Sequence, residues 1–240
     1  MRTTAGGWQV IDDDACILVH PYRFDGEATA NCFIARMANG QLLVISPGCN
    51  MPEAAIREIG RYGQVGALLA NNGMHWKGLE EWKARFPRAR VFASADAAHR
   101  IRKQTPNAPR FEPLAGLTPL LGDTIIVTEM PASRIGETWT VVRRRQGAVW
   151  FASDLLTNMP RLVGPLPARW LFRLTGSAPG FRIFNLALMM TTHDRKQMLS
   201  QLLAGLTCFP PAVIVPSHGN VLHGPGVMET ARGLVMKALR

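Results

Sequence analysis

The sequence is short of acid, of paired cysteines and of long apolar runs, and each shortage narrows what the chain can be. Its 17 Asp and Glu stand against 27 Lys and Arg, leaving a formal charge of +10 over 240 residues. That balance implies anionic partners, and nucleic acid, a phospholipid surface and acidic metabolites would each satisfy it. The arginines are dispersed over 85–90, 100–103, 143–145 and 161–182 without interleaved aromatics, which makes nucleic acid the least favoured of the three. Cys16, Cys32, Cys49 and Cys208 form no CxxC pair and no zinc-clip spacing, so they are read as reduced thiols. No basic-then-apolar leader precedes Trp8, and no apolar run approaches the ~18 residues that span a bilayer. A cytoplasmic location is the expectation.

What is present suffices for a large core. With 47% hydrophobic residues, the chain is expected to form a single domain over residues 1–240. Two hairpins open it: strands at 8–11 and 15–20 flank Asp12-Asp13-Asp14, and strands at 31–37 and 41–45 flank Asn39-Gly40. Pro52 and Glu53 start a helix over 52–62, a strand follows at 65–69, and helices at 79–86 and 95–103 enclose a strand at 90–93. The proline-rich stretch 105–118 reads as a surface connection. Strands return at 123–128, 138–143 and 148–152, and a helix follows at 194–204. Two mixed halves, each a sheet with helices on its outer face, amount to a four-layered αββα sandwich of the α/β class.

Three of these strands lead to side chains able to bind metal. The run 65–69 passes through Asn71-Asn72-Gly73 to His75, the run 148–153 ends at Asp154, and the run 212–217 ends at His218. Ligands collect at the carboxyl ends of strands in α/β sheets, so these three are the candidate site. His20, His99 and His193 read as turn, helix-surface and helix-start residues, whereas His223 is close enough in sequence to His218 to share its pocket. Cys49 also follows a strand and is placed in the pocket without a chemical role. The segment 158–192 alternates apolar and basic residues, as in Trp170-Leu171-Phe172-Arg173 and Phe181-Arg182-Ile183-Phe184. It is expected to be a pocket-covering insertion, with a dimer contact and a membrane-surface contact as alternatives.

With those residues in view, nearly the whole chain resembles the metallo-β-lactamase fold superfamily. Asn31-Cys32-Phe33-Ile34 with 41–47 looks like that family's first long hairpin, with Ser46 where an acidic residue is common. Residues 131–137 are similar to its Pro-Gly-His-x-x-Gly turn, Ser153-Asp154 to its Gly-Asp, and Pro216-Ser217-His218-Gly219 to its closing Pro-x-His-Gly. Against the His-x-His-x-Asp-His signature the chain carries Ala70, Asn72, Met74 and His75, and Ser133 replaces a further histidine. Such a degenerate motif looks closest to uncharacterised branches of the superfamily. The resemblance implies a lost first metal site and a second one keeping His75, Asp154 and His218, with Asn72, Met74 and Ser133 in the pocket and His75 and Asp154 as the catalytic pair. It implies at most one zinc or other divalent ion, and a hydrolase-like protein acting on an ester, thioester or lactone. The alternative is a non-catalytic binder of a small anionic ligand, in which no ion is held and His75 and Asp154 hydrogen-bond each other. A nucleic-acid binder is the third reading.

Overall fold

The computed structural model describes residues 1–162 and 164–240; residue 163, within the segment 158–192, lies outside the described residues. Seven strands form the first sheet in sequence order: β1 (Arg2–Thr3), β2 (Gln9–Asp12), β3 (Ile17–Asp25), β4 (Ala28–Arg36), β5 (Leu42–Ile45), β6 (Val65–Ala70) and β7 (Arg90–Ala93). Pairing is antiparallel up to β5, where tight turns join neighbours. It becomes parallel from β5 to β7, because α1 (Glu53–Ile59) and α2 (Leu79–Arg85) carry the chain back between strands. α3 (Ala95–Gln104) follows, capped by Ser94, whose hydroxyl accepts the Ala97 N–H.

The second half contains β8 (Ile125–Glu129), β9 (Thr138–Val142), β10 (Ala148–Met159), β11 (Gly180–Ile183), β12 (Pro211–Gly219) and β13 (Leu222–His223). They form a six-stranded sheet of order β13-β12-β10-β9-β8, with β11 added along the far half of β10. Its helices are α4 (Thr118–Leu121), α5 (Leu166–Leu174), α6 (Asn185–Thr191), α7 (Arg195–Cys208) and α8 (Val227–Leu239). Among the described residues no helix is long and apolar enough to cross a membrane.

Strand alternation sets the layers. Ile17 and Val19, Phe33 and Ala35, Leu43 and Ile45, and Ala67 and Leu69 point to the core between the sheets, where they meet Val149, Phe151, Val213 and Val215. The residues between them, Leu18, Ile34, Val44 and Leu68, face Ile56, Ile59, Trp82 and Ile101 of the first helical layer. Trp150 and Ile214 face the opposite way, onto Leu199, Leu202, Leu206 and Val235. A period of two with both faces apolar requires cover on both sides, and three separate cores result. In the third, the Trp139 and Trp150 rings stack 4.3 Å apart. Gly205 of α7 lies against that stack, where a Cβ would come within 2.9 Å of both rings.

Two expectations change. Strand β10 runs on to Met159 rather than ending near residue 152, because β11 and β12 supply partners along its whole length. The stretch 105–118 is more than a surface connection: Phe111 and Leu117 enter two different cores, and Glu112 pairs with Phe92 at the edge of β7.

Candidate metal centre

Each member of the site is aimed by a local device. After β6, the Asn72 side-chain oxygen accepts the backbone N–H groups of Met74 (2.8 Å) and His75 (3.1 Å). This side-chain-to-backbone turn sends His75 inward, to 6% exposure, and Met74 outward, to 48%. The turn is tied to the other sheet by the Gly73 N–H on the Ile135 carbonyl (2.8 Å) and the Thr138 hydroxyl on the Asn71 carbonyl (2.9 Å). On β10, Ser153 has a φ of 53° and the register with β12 slips on both sides of it. The extra backbone there bends the strand and re-aims Asp154 into the site, so Asp154 lies within a kinked strand rather than after its end. On β12, His218 is followed by Gly219 at φ 96°, where a Cβ would lie 2.1 Å from the Asn158 carbonyl oxygen. Only glycine permits that approach.

Both imidazoles meet the one carboxylate. His75 Nε2 lies 3.2 Å from Asp154 Oδ2, and His218 Nε2 lies 3.3 Å from Oδ1. One donor atom from each of the three residues falls within 4.8 Å of the others. The far side of each ring is also held. His218 Nδ1–H donates to the Thr29 carbonyl at 2.8 Å, and His75 Nδ1 pairs with the Ser46 hydroxyl at 2.9 Å, which the Tyr22 hydroxyl approaches at 3.1 Å. Burial opposes charge on Asp154, yet the two histidines hold its carboxyl well below the usual carboxylate range. Burial likewise opposes a proton on His218, but the Asp154 carboxylate and the Thr29 carbonyl raise its pKa.

Behind Asp154 lies Glu137, the last residue of the turn 131–137. Its carboxyl accepts the Asp154 N–H at 3.2 Å and the Asn72 amide at 3.2 Å, while the same amide donates to Asp154 Oδ2 at 2.9 Å. Burial, and then the adjacent Asp154 charge, push the Glu137 carboxyl up to about 8. Tyr22 lies outside every motif and Glu137 only closes the 131–137 turn, beyond its glycine; the apolar neighbours of β3 and the start of β9 give no hint that a polar side chain is turned inward.

The other expected pocket residues separate. Asn72 belongs to the site through Asp154. The Ser133 hydroxyl is engaged within its own loop, where it accepts the N–H groups of Ile135 (3.2 Å) and Glu137 (2.9 Å). Ser133→Ala is therefore expected to destabilise the fold by ~1–3 kcal/mol in urea unfolding, because two buried donors lose their partner. Met74 points to solvent, for the turn reason given above. Cys49 belongs to the helix-side core, with its thiol on the Arg23 carbonyl at 3.5 Å and its pKa raised by burial. His223 and His218 both line a cleft of about 950 Å³ with Arg23, Phe24, Asn220 and Arg161. From 158–192, Pro165, Ala168, Phe172 and Phe184 also line it. Phe184 sits edge-on to His218, with ring centres 5.7 Å apart.

No protein-family profile and no curated protein sequence matches the chain. Solved structures do. The metal-soaked flavodiiron core Flv1 from Synechocystis sp. PCC6803 superposes with a TM-score of 0.63 at 15% identity, covering 99% of this chain. The chain spans 62% of that protein's length. The metallo-β-lactamase FIM-1 from Pseudomonas aeruginosa, in its mono-zinc form, gives 0.60 at 14% identity and covers 100% of this chain and 98% of its own. The metallo-β-lactamase DIM-1 gives 0.59 at 10% identity, covering 99% and 100%. The chain thus has the metallo-β-lactamase fold. Within it, His75, Asp154 and His218 form a cluster able to hold a metal ion.

Proposed function

We propose that the chain is a hydrolase-like protein that holds one divalent ion, such as zinc, on His75, Asp154 and His218 and cleaves an ester, thioester or lactone. One observation carries the reading. His218 must donate from Nδ1, because the Thr29 carbonyl can only accept, so in the neutral ring Nε2 keeps its lone pair toward Asp154 Oδ1. Two lone pairs 3.3 Å apart in a buried site call for a cation between them, either a second proton on the ring or a metal ion. The donor set suits the ion: two nitrogens and one carboxylate leave one position open, and the two imidazole-to-carboxylate separations of 3.2 and 3.3 Å match the ~3–4 Å between donors around a tetrahedral ion. The hydrogen bonds behind both rings fix their orientation as metal sites require.

When bound, such an ion supplies Lewis acidity and lowers the pKa of water toward ~7. The chain does the rest. Asp154 stays ionised and is the group placed to accept a proton at a carboxylate oxygen, while Ser46 and Tyr22 hold His75 in position. Phe24 and Phe184 pack against His218 and keep bulk water from its face, and Arg23 and Arg161 on the cleft favour a substrate with an anionic group. The test is elemental analysis of protein purified without chelator, followed by zinc titration and an ester, thioester and lactone panel. At most one tightly held ion per chain and chelator-sensitive turnover are expected. No retained ion would leave the anion-binding alternative, and two tight ions would show that the assignment of lost ligands is wrong.

A further inference from the structure

Six of the nine large hydrophobic side chains exposed among the described residues fall between residues 166 and 190: Leu166, Trp170, Leu171, Leu174, Met189 and Met190. On α5, Leu166, Trp170 and Leu174 follow one another at four-residue spacing and are 67%, 62% and 77% exposed. The opposite side of the same helix carries Ala168 and Phe172, which turn toward the cleft. A helix that is apolar on both sides is normally covered on both. Among the described residues the outer side has no cover, and no residue of α5 is fully buried. Nor is the segment loosely attached: Phe172 stacks on Phe184 at 5.8 Å, the Asn185 amide donates to the Thr175 carbonyl at 2.8 Å, and the Leu186 N–H donates to the Ser177 hydroxyl at 2.8 Å. The apolar face is therefore presented on a fixed support.

Charge identifies what it meets. Residues 155–193 contain no Asp or Glu but do contain Arg161, Arg169, Arg173 and Arg182. All four arginines are exposed, and among the described residues none is paired with a carboxylate. Arg169 and Arg173 flank the Leu166-Trp170-Leu174 stripe by helical geometry. Guanidinium groups beside a Trp-Leu face are the chemistry of a helix lying in the headgroup region of a negatively charged bilayer. A second copy of the chain is a poorer fit, since a two-fold contact would set this carboxylate-free, arginine-bearing face against itself. We infer that the outer face of α5 docks the protein on an anionic phospholipid surface. The apolar stripe enters the acyl boundary and the arginines contact headgroup phosphates. Because Phe172 and Ala168 of the same helix line the cleft, docking would bring the cleft beside the membrane.

The test is co-sedimentation of the full chain with phosphatidylcholine vesicles with and without phosphatidylglycerol. Binding is expected only to the phosphatidylglycerol vesicles, weakening as salt is raised. Each of Arg169→Gln and Arg173→Gln should weaken it about five-fold. The double variant Trp170→Ser/Leu174→Ser should weaken it at least ~10-fold while leaving the thermal melt unchanged, because both side chains are in solvent. Three results would overturn the inference. They are no binding to either vesicle, equal binding to both, or a concentration-dependent dimer on sizing that the Trp170→Ser/Leu174→Ser variant dissociates.

Discussion

Alanine at His218 is expected to cost the protein its metal ion and, with it, any metal-dependent turnover. The variant removes one of three donors in a site that has no protein group ready to replace it: Asn72 presents its NH₂ to Asp154, and Met74 points away. Loss of a mere outer hydrogen-bond partner costs about 10–100-fold in affinity, so loss of a direct ligand should exceed 100-fold in a zinc competition assay. His223→Ala is the control. His223 is exposed and lines the same cleft, and its removal should leave zinc affinity within about two-fold, since it is outside the converging trio. Comparing thermal melts with zinc and with chelator separates ligand loss from misfolding: wild type should gain stability on zinc addition, and the folded variant should not. If His218→Ala keeps one equivalent of zinc at wild-type affinity, the ion is held elsewhere and the proposed function fails with it.

The parts of the molecule that could be read from sequence are those where one rule decides the outcome. Residues 17–19, 33–35, 43–45 and 67–69 alternate between two apolar environments, and runs of that kind flanked by turn residues predict covered sheets whatever the sheet order. His75, Asp154 and His218 were visible because a polar residue capable of binding metal follows an apolar strand run in each case. The failures share a cause in tertiary pairing. β11 and β13 consist of four and two residues and exist only because β10 and β12 offer them an edge, so nothing local announces them. The side-chain hydrogen bond that turns Met74 out and His75 in could have been suspected from an asparagine two residues before Met74. Its direction depends on where the first sheet meets the second. Glu137 was hidden for a stronger reason: a glutamate in a polar turn is ordinarily solvated, and only the neighbouring Asn72 and Asp154 reveal that this one is enclosed.

Glu137 also gives the second large effect, seen in chelator-treated protein where only protons compete for the site. Its carboxyl is pushed up to about 8 by burial and by the Asp154 charge, from an ordinary value of 4.5. The folded chain therefore binds a proton there that the unfolded chain gives up, and the stability contributed by this group is complete below pH ~4.5 and lost progressively as pH rises to ~8. Glutamine has nearly the same shape, keeps an oxygen for the Asp154 N–H, and cannot ionise. Glu137→Gln should accordingly flatten the stability profile over that window. It should match wild type near pH ~4 and exceed it by a few kcal/mol near pH ~8.5, on the scale of ~1.4 kcal/mol for each unit of pKa difference. Urea unfolding at a series of pH values reads both quantities. Parallel profiles for the two proteins, or a variant less stable at the alkaline end, would show that Glu137 is ionised without penalty and is not enclosed as described.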